Sequence, residues 1–186
     1  DSGMSRGLGD VYKRQTPDRV VRKNAEGMLD SFIAAAEKLV SEGADAITTN
    51  CGFLSIFQKE LTAAVKVPVL TSSLMQVSTV NMLLPDRKKA GILTISKSTL
   101  SDAHLRAANV PSDTPIGTTE DGAEFSRVIL NDELQLNIEL ARLDNINAAL
   151  KMKTDHSDLG AIILECTNMS PYAKAIQEAV ELPVYS

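Results

Sequence analysis

Two related stretches of this sequence decide the fold: ADAITTNCGFLSIFQKELTAAVKVPVLTS, which begins at Ala44, and LGAIILECTNMSPYAKAIQEAVELPVYS, which begins at Leu159. They align without a gap at a spacing of 115 residues, which is the separation of Cys51 and Cys166. Each copy has an apolar run, a cysteine, an amphipathic stretch of helical period and a short strand at Val-Pro-Val or Leu-Pro-Val. The identical positions, in the numbering of the first copy, are Ala46, Ile47, Cys51, Ser55, Lys59, Ala64, Val65, Pro68 and Val69.

A repeat of strand, helix and strand predicts a parallel, right-handed unit in each copy. We therefore expect an α/β fold of two pseudo-symmetric, doubly wound parallel-sheet lobes, with the active site between them. The lobes are predicted to span residues 16–86 and 87–186. We expect residues 1–15 to be a non-native or disordered tail, the first strand of the N-terminal lobe to be missing, and the C-terminal end to be truncated.

The segments outside the repeat alternate in the same way. Thr16 and Pro17 are typical of a helix start and predict a helix over residues 18–41, which Gly43 would end. Ser72 or Ser73 would cap the next helix. The other predicted elements are a helix ending near residue 84, a strand over residues 90–95, and helices over residues 98–108 and 131–153.

Composition restricts the function classes. The chain has 186 residues, 44% apolar and 23% charged residues and a net charge of -5, and it has neither a basic patch for nucleic acid nor an apolar run of membrane-spanning length. Two cysteines without a signal peptide favour free thiols in a cytoplasmic protein. His104 and His156 have no companion at metal-ligand spacing, so we expect surface histidines and no metal.

The two cysteines follow apolar runs and precede helices, which places them at the carboxyl ends of parallel strands, where such folds bind ligands. Free cysteine is among the most buried residue types, so ordinary core packing is the alternative interpretation. Their equivalent positions in two repeats favour a reactive pair. We expect the adjacent helix starts to lower the pKa of both thiols.

Small polar residues flank the cysteines and end neighbouring strands. Gly52 would allow close backbone approach, and hydroxyl or amide side chains can hold a carboxylate without adding a full charge. The predicted substrate-binding set is Asn50, Gly52, Thr71, Ser72, Thr94, Ser96, Thr167 and Asn168.

The paired motifs, residues 48–52 (Thr-Thr-Asn-Cys-Gly) and residues 165–169 (Glu-Cys-Thr-Asn-Met), resemble those of the aspartate/glutamate racemase superfamily. The resemblance implies a cofactor-independent isomerase, a racemase or epimerase of a small carboxylic acid in amino-acid metabolism, in which Cys51 and Cys166 act as two bases. An arylmalonate-type decarboxylase, a maleate-isomerase-like enzyme and a non-catalytic small-acid binding protein remain alternatives. Asn50 precedes the first cysteine instead of following it, which leaves the substrate open, and a homo-oligomer also remains open.

Overall fold

The computed structural model of the chain describes residues 18–23, 25 and 27–186. The tail expected over residues 1–15 and the helix start expected at Thr16 and Pro17 lie outside the described residues. No helix in these ranges has both the length and the apolar character that crossing a membrane requires.

The described strands form two sheets, and every pairing in them is parallel, as predicted. The smaller sheet pairs β1 (Ile47–Thr48) with β2 (Val69–Leu70). The larger sheet has the order β4-β3-β5-β6. Its strands are β3 (Lys89–Thr94), β4 (Ile116–Thr118), β5 (Leu159–Leu164) and β6 (Val184–Tyr185).

Helices connect these strands, and short 3₁₀ segments begin several of the connections. The α-helices are α1 (Leu29–Ser41), α2 (Gln58–Ala64), α3 (Gln76–Leu83), α4 (Asp102–Ala107), α5 (Phe125–Leu130), α6 (Ile138–Asp155) and α7 (Ala173–Val180). The 3₁₀ segments are Gly52–Phe57, Ser73–Met75 and Thr167–Tyr172.

The two sequence repeats fold alike down to the register of their strands. Ile47 pairs with Val69 in the first copy, and Ile162 pairs with Val184, 115 positions later, in the second. The amide of Ile47 donates to the carbonyl of Pro68 at 2.8 Å, and the equivalent Ile162 amide donates to Pro183 at 2.9 Å. The predicted fold class, an α/β protein with two parallel-sheet lobes, is therefore confirmed.

The core lies around β3 and β5, which pair along their length. Helices cover both faces of a parallel sheet, so its central strands are apolar on both sides. Full burial of each large side chain here contributes roughly 1.5–3 kcal/mol. The residues of these strands with at most 1% exposure are Ala90, Ile92, Leu93, Thr94, Ala161, Ile162, Ile163 and Leu164.

The first predicted helix is broken. Residues Asp18–Arg22 form a π-helical turn, and α1 begins only at Leu29. Between them, Ala25 and Gly27 have φ angles of 50° and 68°, which a right-handed helix cannot contain. The end is as predicted, because Gly43 follows the helix with a φ angle of 96°.

Two other predicted helices start later in the structure. Asn137 caps α6 by accepting a hydrogen bond from the Leu140 amide at 3.1 Å, so the helix expected from residue 131 begins at Ile138. Ser101 and His104 form the capping box of α4, which shortens the helix expected over residues 98–108. In both places a side chain accepts a hydrogen bond from a backbone amide of the first helical turn, and this bond determines where the helix begins.

Candidate active site

Each cysteine directly precedes a 3₁₀ segment and lies two or three residues beyond the end of a strand. Cys51 has an extended backbone before Gly52–Phe57, and Cys166 has one before Thr167–Tyr172. The same turn comes after each, because the Leu54 amide donates to the Cys51 carbonyl at 3.1 Å and the Met169 amide donates to the Cys166 carbonyl at 2.9 Å. Both cysteines are free thiols.

The larger sheet explains why Cys166 lies at a crevice. After β3 the chain adds β4 on one side of that strand and β5 on the other. In an open parallel sheet, such a reversal opens a crevice outside the carboxyl ends of the two strands. Cys166 follows β5 at this edge, beside Ile95, which follows β3.

Hydrogen bonds tie the segment of Cys51 to the segment of Cys166. The Thr167 hydroxyl donates to the carbonyl of Asn50 at 2.7 Å. The Ser73 hydroxyl donates to the carbonyl of Leu164 at 2.8 Å. Both bonds join the N-terminal to the C-terminal lobe, and Asn50, Leu164 and Thr167 lie within two residues of a cysteine in the chain.

One cavity contains both cysteines, and we call it the thiol pocket. It has a volume of about 190 Å³, and its polar lining is Asn50, Cys51, Glu165, Cys166, Thr167 and Asn168. Its apolar lining is Val20, Val21, Leu54, Ile95, Ile129 and Leu130. The pocket therefore combines two thiols, one carboxyl and uncharged hydrogen-bonding groups with an apolar wall.

A second, more polar cavity adjoins it, and we call it the serine pocket. It has a volume of about 260 Å³ and shares Cys51, Glu165 and Thr167 with the thiol pocket. Its other lining residues are Thr48, Thr49, Gly52, Leu70, Ser72, Ser73, Gln76, Leu164, Ser170 and Ser186.

The structure brings together some of the residues that the sequence singled out. The thiol pocket contains both predicted catalytic cysteines and three of the predicted binding residues, Asn50, Thr167 and Asn168. Gly52 and Ser72 line the serine pocket. The substrate and catalytic roles of all these residues stay predictions.

Thr71, Thr94 and Ser96 line neither pocket, although we expected their side chains to point into the cleft. All three are buried. Thr71 donates to Gln58 at 2.7 Å, Thr94 to Glu165 at 2.9 Å and Ser96 to Glu120 at 2.8 Å. A buried hydroxyl needs a partner, and here protein side chains supply it.

The expectation that the thiol pKa values are lowered is wrong. Burial, followed by the charge of Glu165, raises the pKa of Cys51 to about 12, although this side chain is partly exposed to the pocket. The amides of Phe53 and Leu54 lower this pKa, but by less. Burial, Glu165 and Cys51 also raise the pKa of Cys166, against hydrogen bonds from Asn168. Desolvation and a nearby carboxylate outweigh the start of a short 3₁₀ segment.

Glu165 is the site residue that the sequence analysis missed. Its side chain is 1% exposed, and burial raises its pKa to about 7. Its Oε2 atom accepts a hydrogen bond from Thr94. A glutamate that directly follows an apolar strand and precedes a cysteine is the signal that could have identified it, because such a position is normally apolar.

Gly52 allows the side chain of Glu165, rather than a ligand, to approach the backbone closely. A Cβ atom at position 52 would lie 2.5 Å from Oε1 of Glu165 and 2.7 Å from its main-chain oxygen. Only glycine leaves room for Glu165 against the chain that follows Cys51.

His104 is buried beneath the site, which corrects its assignment to the surface. It has 0% exposure, and its ring packs edge-on against Phe53 at a centroid distance of 5.1 Å. Its Nδ1 atom is 2.8 Å from the hydroxyl oxygen of Ser101. The capping role of this ring explains why a buried position holds a histidine.

Sequence comparison relates this chain to curated enzymes of one kind. No protein-family model matches the chain. A dimethylsulfoniopropionate lyase of Durusdinium sp. clade D is 28% identical over 94% of this chain and 62% of its own length. Dimethylsulfoniopropionate lyase 6 of Emiliania huxleyi is 28% identical over 95% of this chain and 49% of its own length. The chain therefore spans about half to three fifths of the curated relatives it matches.

Solved structures show the fold. Picrophilus torridus aspartate racemase matches with a TM-score of 0.56 and 16% identity, over 92% of this chain and 69% of that chain. Allantoin racemase from Klebsiella pneumoniae matches with a TM-score of 0.57 and 18% identity, over 85% of this chain and 60% of that chain.

These relatives overturn the expected activity. The prediction of an isomerase, a racemase or epimerase of amino-acid metabolism, is wrong, because the curated relatives are lyases. The racemase resemblance holds for the architecture and does not extend to the reaction. This chain thus has the fold of the aspartate/glutamate racemase superfamily and is similar in sequence to dimethylsulfoniopropionate lyases.

Proposed function

We propose that this chain belongs to a lyase that cleaves dimethylsulfoniopropionate or a close sulfonium analogue, with its chemistry in the thiol pocket. The observation that carries the proposal is the similarity to dimethylsulfoniopropionate lyases over 94% of the chain. Because the chain covers only part of each relative, the proposal concerns the portion of the enzyme that holds Cys51 and Cys166.

The substrate's structure defines the reaction. Dimethylsulfoniopropionate has a carboxylate at one end and a dimethylsulfonium cation at the other. A base removes a proton from the carbon next to the carboxylate, and the electron pair of that C–H bond forms a C=C bond. The C–S bond breaks, and its electrons leave with sulfur as neutral dimethyl sulfide. The products are acrylate, dimethyl sulfide and the proton held by the base.

The lining of the thiol pocket suits such a molecule. Either thiol could supply the base, and the polar groups of Asn50, Thr167 and Asn168 could hold the carboxylate without a salt bridge. Uncharged holding groups also leave the substrate's cation unopposed by a second positive charge. The two methyl groups on sulfur could pack against the apolar wall, which includes Leu54 and Ile129.

The raised thiol pKa values fit a cationic substrate. Without substrate, both thiols hold their protons at neutral pH. A sulfonium charge about 5 Å from a thiol, at an effective dielectric constant of about 20, favours the thiolate by roughly 3 kcal/mol, or about two pKa units. Binding would therefore promote formation of the base next to its target.

The test is direct production of dimethyl sulfide and acrylate by the purified chain. Gas chromatography of the headspace measures the sulfide, and proton NMR measures acrylate. We expect equimolar products from the wild type. Cys51→Ser and Cys166→Ser should separate the roles, because replacement of the base abolishes turnover and replacement of the other thiol reduces it.

Met82→Ser is the control, because it also replaces a sulfur-containing side chain with serine, at a position that is 78% exposed. It should retain full activity. A folded wild-type chain that forms neither product, or full activity in both cysteine variants, would refute the proposal.

A further inference from the structure

Glu165 is a buried carboxyl group for which no ion pair is found among the described residues. It follows the last residue of β5 and is 1% exposed. Its Oε1 atom has no hydrogen-bond partner in the described part of the chain. The amides of Gly52 and Phe53 are near enough to lower its pKa, yet neither completes a hydrogen bond to Oε1. A carboxylate in this position is costly, so its pKa is raised well above that of an ordinary glutamate.

The fold holds this carboxyl between the two cysteines. Glu165 directly precedes Cys166 in the chain. It also packs on Gly52, which directly follows Cys51, so closely that a Cβ atom there would overlap it. Glu165 lines both the thiol pocket and the serine pocket. Three acidic groups from two lobes therefore share one buried region.

Their charges oppose one another. A negative charge on Glu165 raises the pKa of Cys51 and of Cys166, and Cys51 also raises the pKa of Cys166. No lysine or arginine of the described residues is among the main groups acting on these three acids. Like charges at close range in a poorly solvated site do not ionise together.

Three titratable groups beside this region, in the described part of the chain, form other contacts. Burial lowers the pKa of His104, which packs under Phe53, so its ring is neutral. Lys97, beyond β3, donates to the carbonyl of Ile116 at 2.9 Å. Glu120, beyond β4, accepts hydrogen bonds from the hydroxyls of Ser96 and Ser98, and its pKa is lowered.

We propose that Glu165 is a positioning residue that competes with Cys51 and Cys166 for a shared negative charge, so that the thiolate base forms most readily while the carboxyl is protonated. As a statement about catalysis this rests on the proposed lyase function. The sharing of charge itself is a property of the free protein and needs no substrate.

Alkylation of the thiols tests the charge sharing without any assumption about the reaction. The rate of iodoacetamide labelling of Cys51 and Cys166 is measured by peptide mass spectrometry from mildly acidic to strongly alkaline pH. In Glu165→Gln the midpoint of labelling should move to lower pH by at least about one unit, which is roughly a tenfold faster rate at a pH on the rising limb. The control Glu120→Gln removes a carboxylate from the same edge of the sheet and should leave the midpoint unchanged.

The pH dependence of the labelling rate distinguishes a change in thiol pKa from a change in the accessibility of the thiols. A looser pocket would speed labelling by the same factor at every pH, and that result would overturn the proposal. An unchanged midpoint in Glu165→Gln would overturn it as well. If the lyase assay fails while the midpoint moves, the function is wrong and the shared charge stands.

A second variant covers the case in which Glu165→Gln does not fold. Thr94→Val removes the hydroxyl that donates to Oε2 at 2.9 Å, which should raise the pKa of Glu165 further and keep it protonated to higher pH. Labelling should then accelerate between neutral pH and the thiol midpoint. Carbon-13 NMR of the glutamate carboxyls in the wild type should show one titration near pH 7, which Thr94→Val moves upward. Titration of every glutamate at or below the ordinary value would contradict the proposal.

Discussion

Glu165 should make the stability of the folded chain fall as pH rises. Its pKa is about 7 in the folded protein, against 4.5 for an ordinary glutamate. The folded state therefore binds this proton more tightly than the unfolded state. Its stabilising contribution is complete below pH 4.5, declines as pH rises through 7, and is absent above that range. At 1.36 kcal/mol per pKa unit, the loss is about 3 kcal/mol.

Urea unfolding at a series of pH values, followed by circular dichroism, measures this loss when the wild type is compared with Glu165→Gln. Glutamine keeps the shape of the side chain but has no proton to lose, and other titrating groups cancel in the difference between the two proteins. We expect the free energy of unfolding of the wild type to fall by about 3 kcal/mol relative to the variant between pH 4.5 and 8. Parallel curves would show that Glu165 has an ordinary pKa, and a difference of opposite sign would show a stabilised carboxylate.

Contacts at three other places in the structure lead to further expected outcomes. Gly52→Ala places a methyl group 2.5 Å from Oε1 of Glu165. Urea titration should show that the free energy of unfolding falls by roughly 1–3 kcal/mol. Unchanged stability would mean that Gly52 and Glu165 are farther apart. Asp144, in α6, accepts hydrogen bonds from the amides of Glu124 and Phe125 at the start of α5, at 2.7 and 2.8 Å. Asp144→Ala should therefore lower the free energy of unfolding by about 1–2 kcal/mol in the same assay, and no loss would show that these bonds do not stabilise the start of α5. For the proposed lyase, kcat/KM reports ionisation of the free enzyme and should rise into the alkaline range, because the pKa values of Cys51 and Cys166 are raised; a plateau below neutral pH would exclude a thiolate base.

The repeat allowed much of the fold to be predicted from sequence. Each copy of the repeat has an apolar run, a cysteine, a helix and then Val-Pro-Val or Leu-Pro-Val. This pattern predicts that the two strands of each copy are parallel and that they pair with each other. The structure accordingly pairs Ile47 with Val69 and Ile162 with Val184 in the same register. The position of each cysteine beyond its strand was predictable from this pattern alone.

Local backbone geometry was harder to predict. The apolar period continues through Val20 and Val21 toward α1, and it hides the break at residues 25–27. That break depends on two left-handed φ angles, one of them at an alanine. An alanine gives no sequence signal for such a conformation, because glycine and asparagine are the usual residues there.

The thiol pKa values could not be predicted because they depend on contacts between lobes. The sequence shows a helix start after each cysteine but not the depth of burial. It also does not show that Glu165 packs against Gly52 from the other lobe. Desolvation and one uncompensated carboxylate reverse the direction that the local pattern suggested.

The reaction itself was mispredicted for a chemical reason. A thiol that removes a proton next to a carboxylate produces the same carbanion-like electron pair in a racemase and in an eliminating lyase. The fate of that electron pair depends on the substrate: a second thiol can return a proton to the opposite face, or a leaving group on the neighbouring carbon can depart first. A sulfonium is such a leaving group, and it departs as a neutral molecule without needing an acid. Under the proposed function, the motifs around Cys51 and Cys166 would supply the shared first step, so they fit either enzyme. For the proposed lyase, the apolar wall of the thiol pocket is the feature that would distinguish the two, because it offers the methyl groups on sulfur a place to pack.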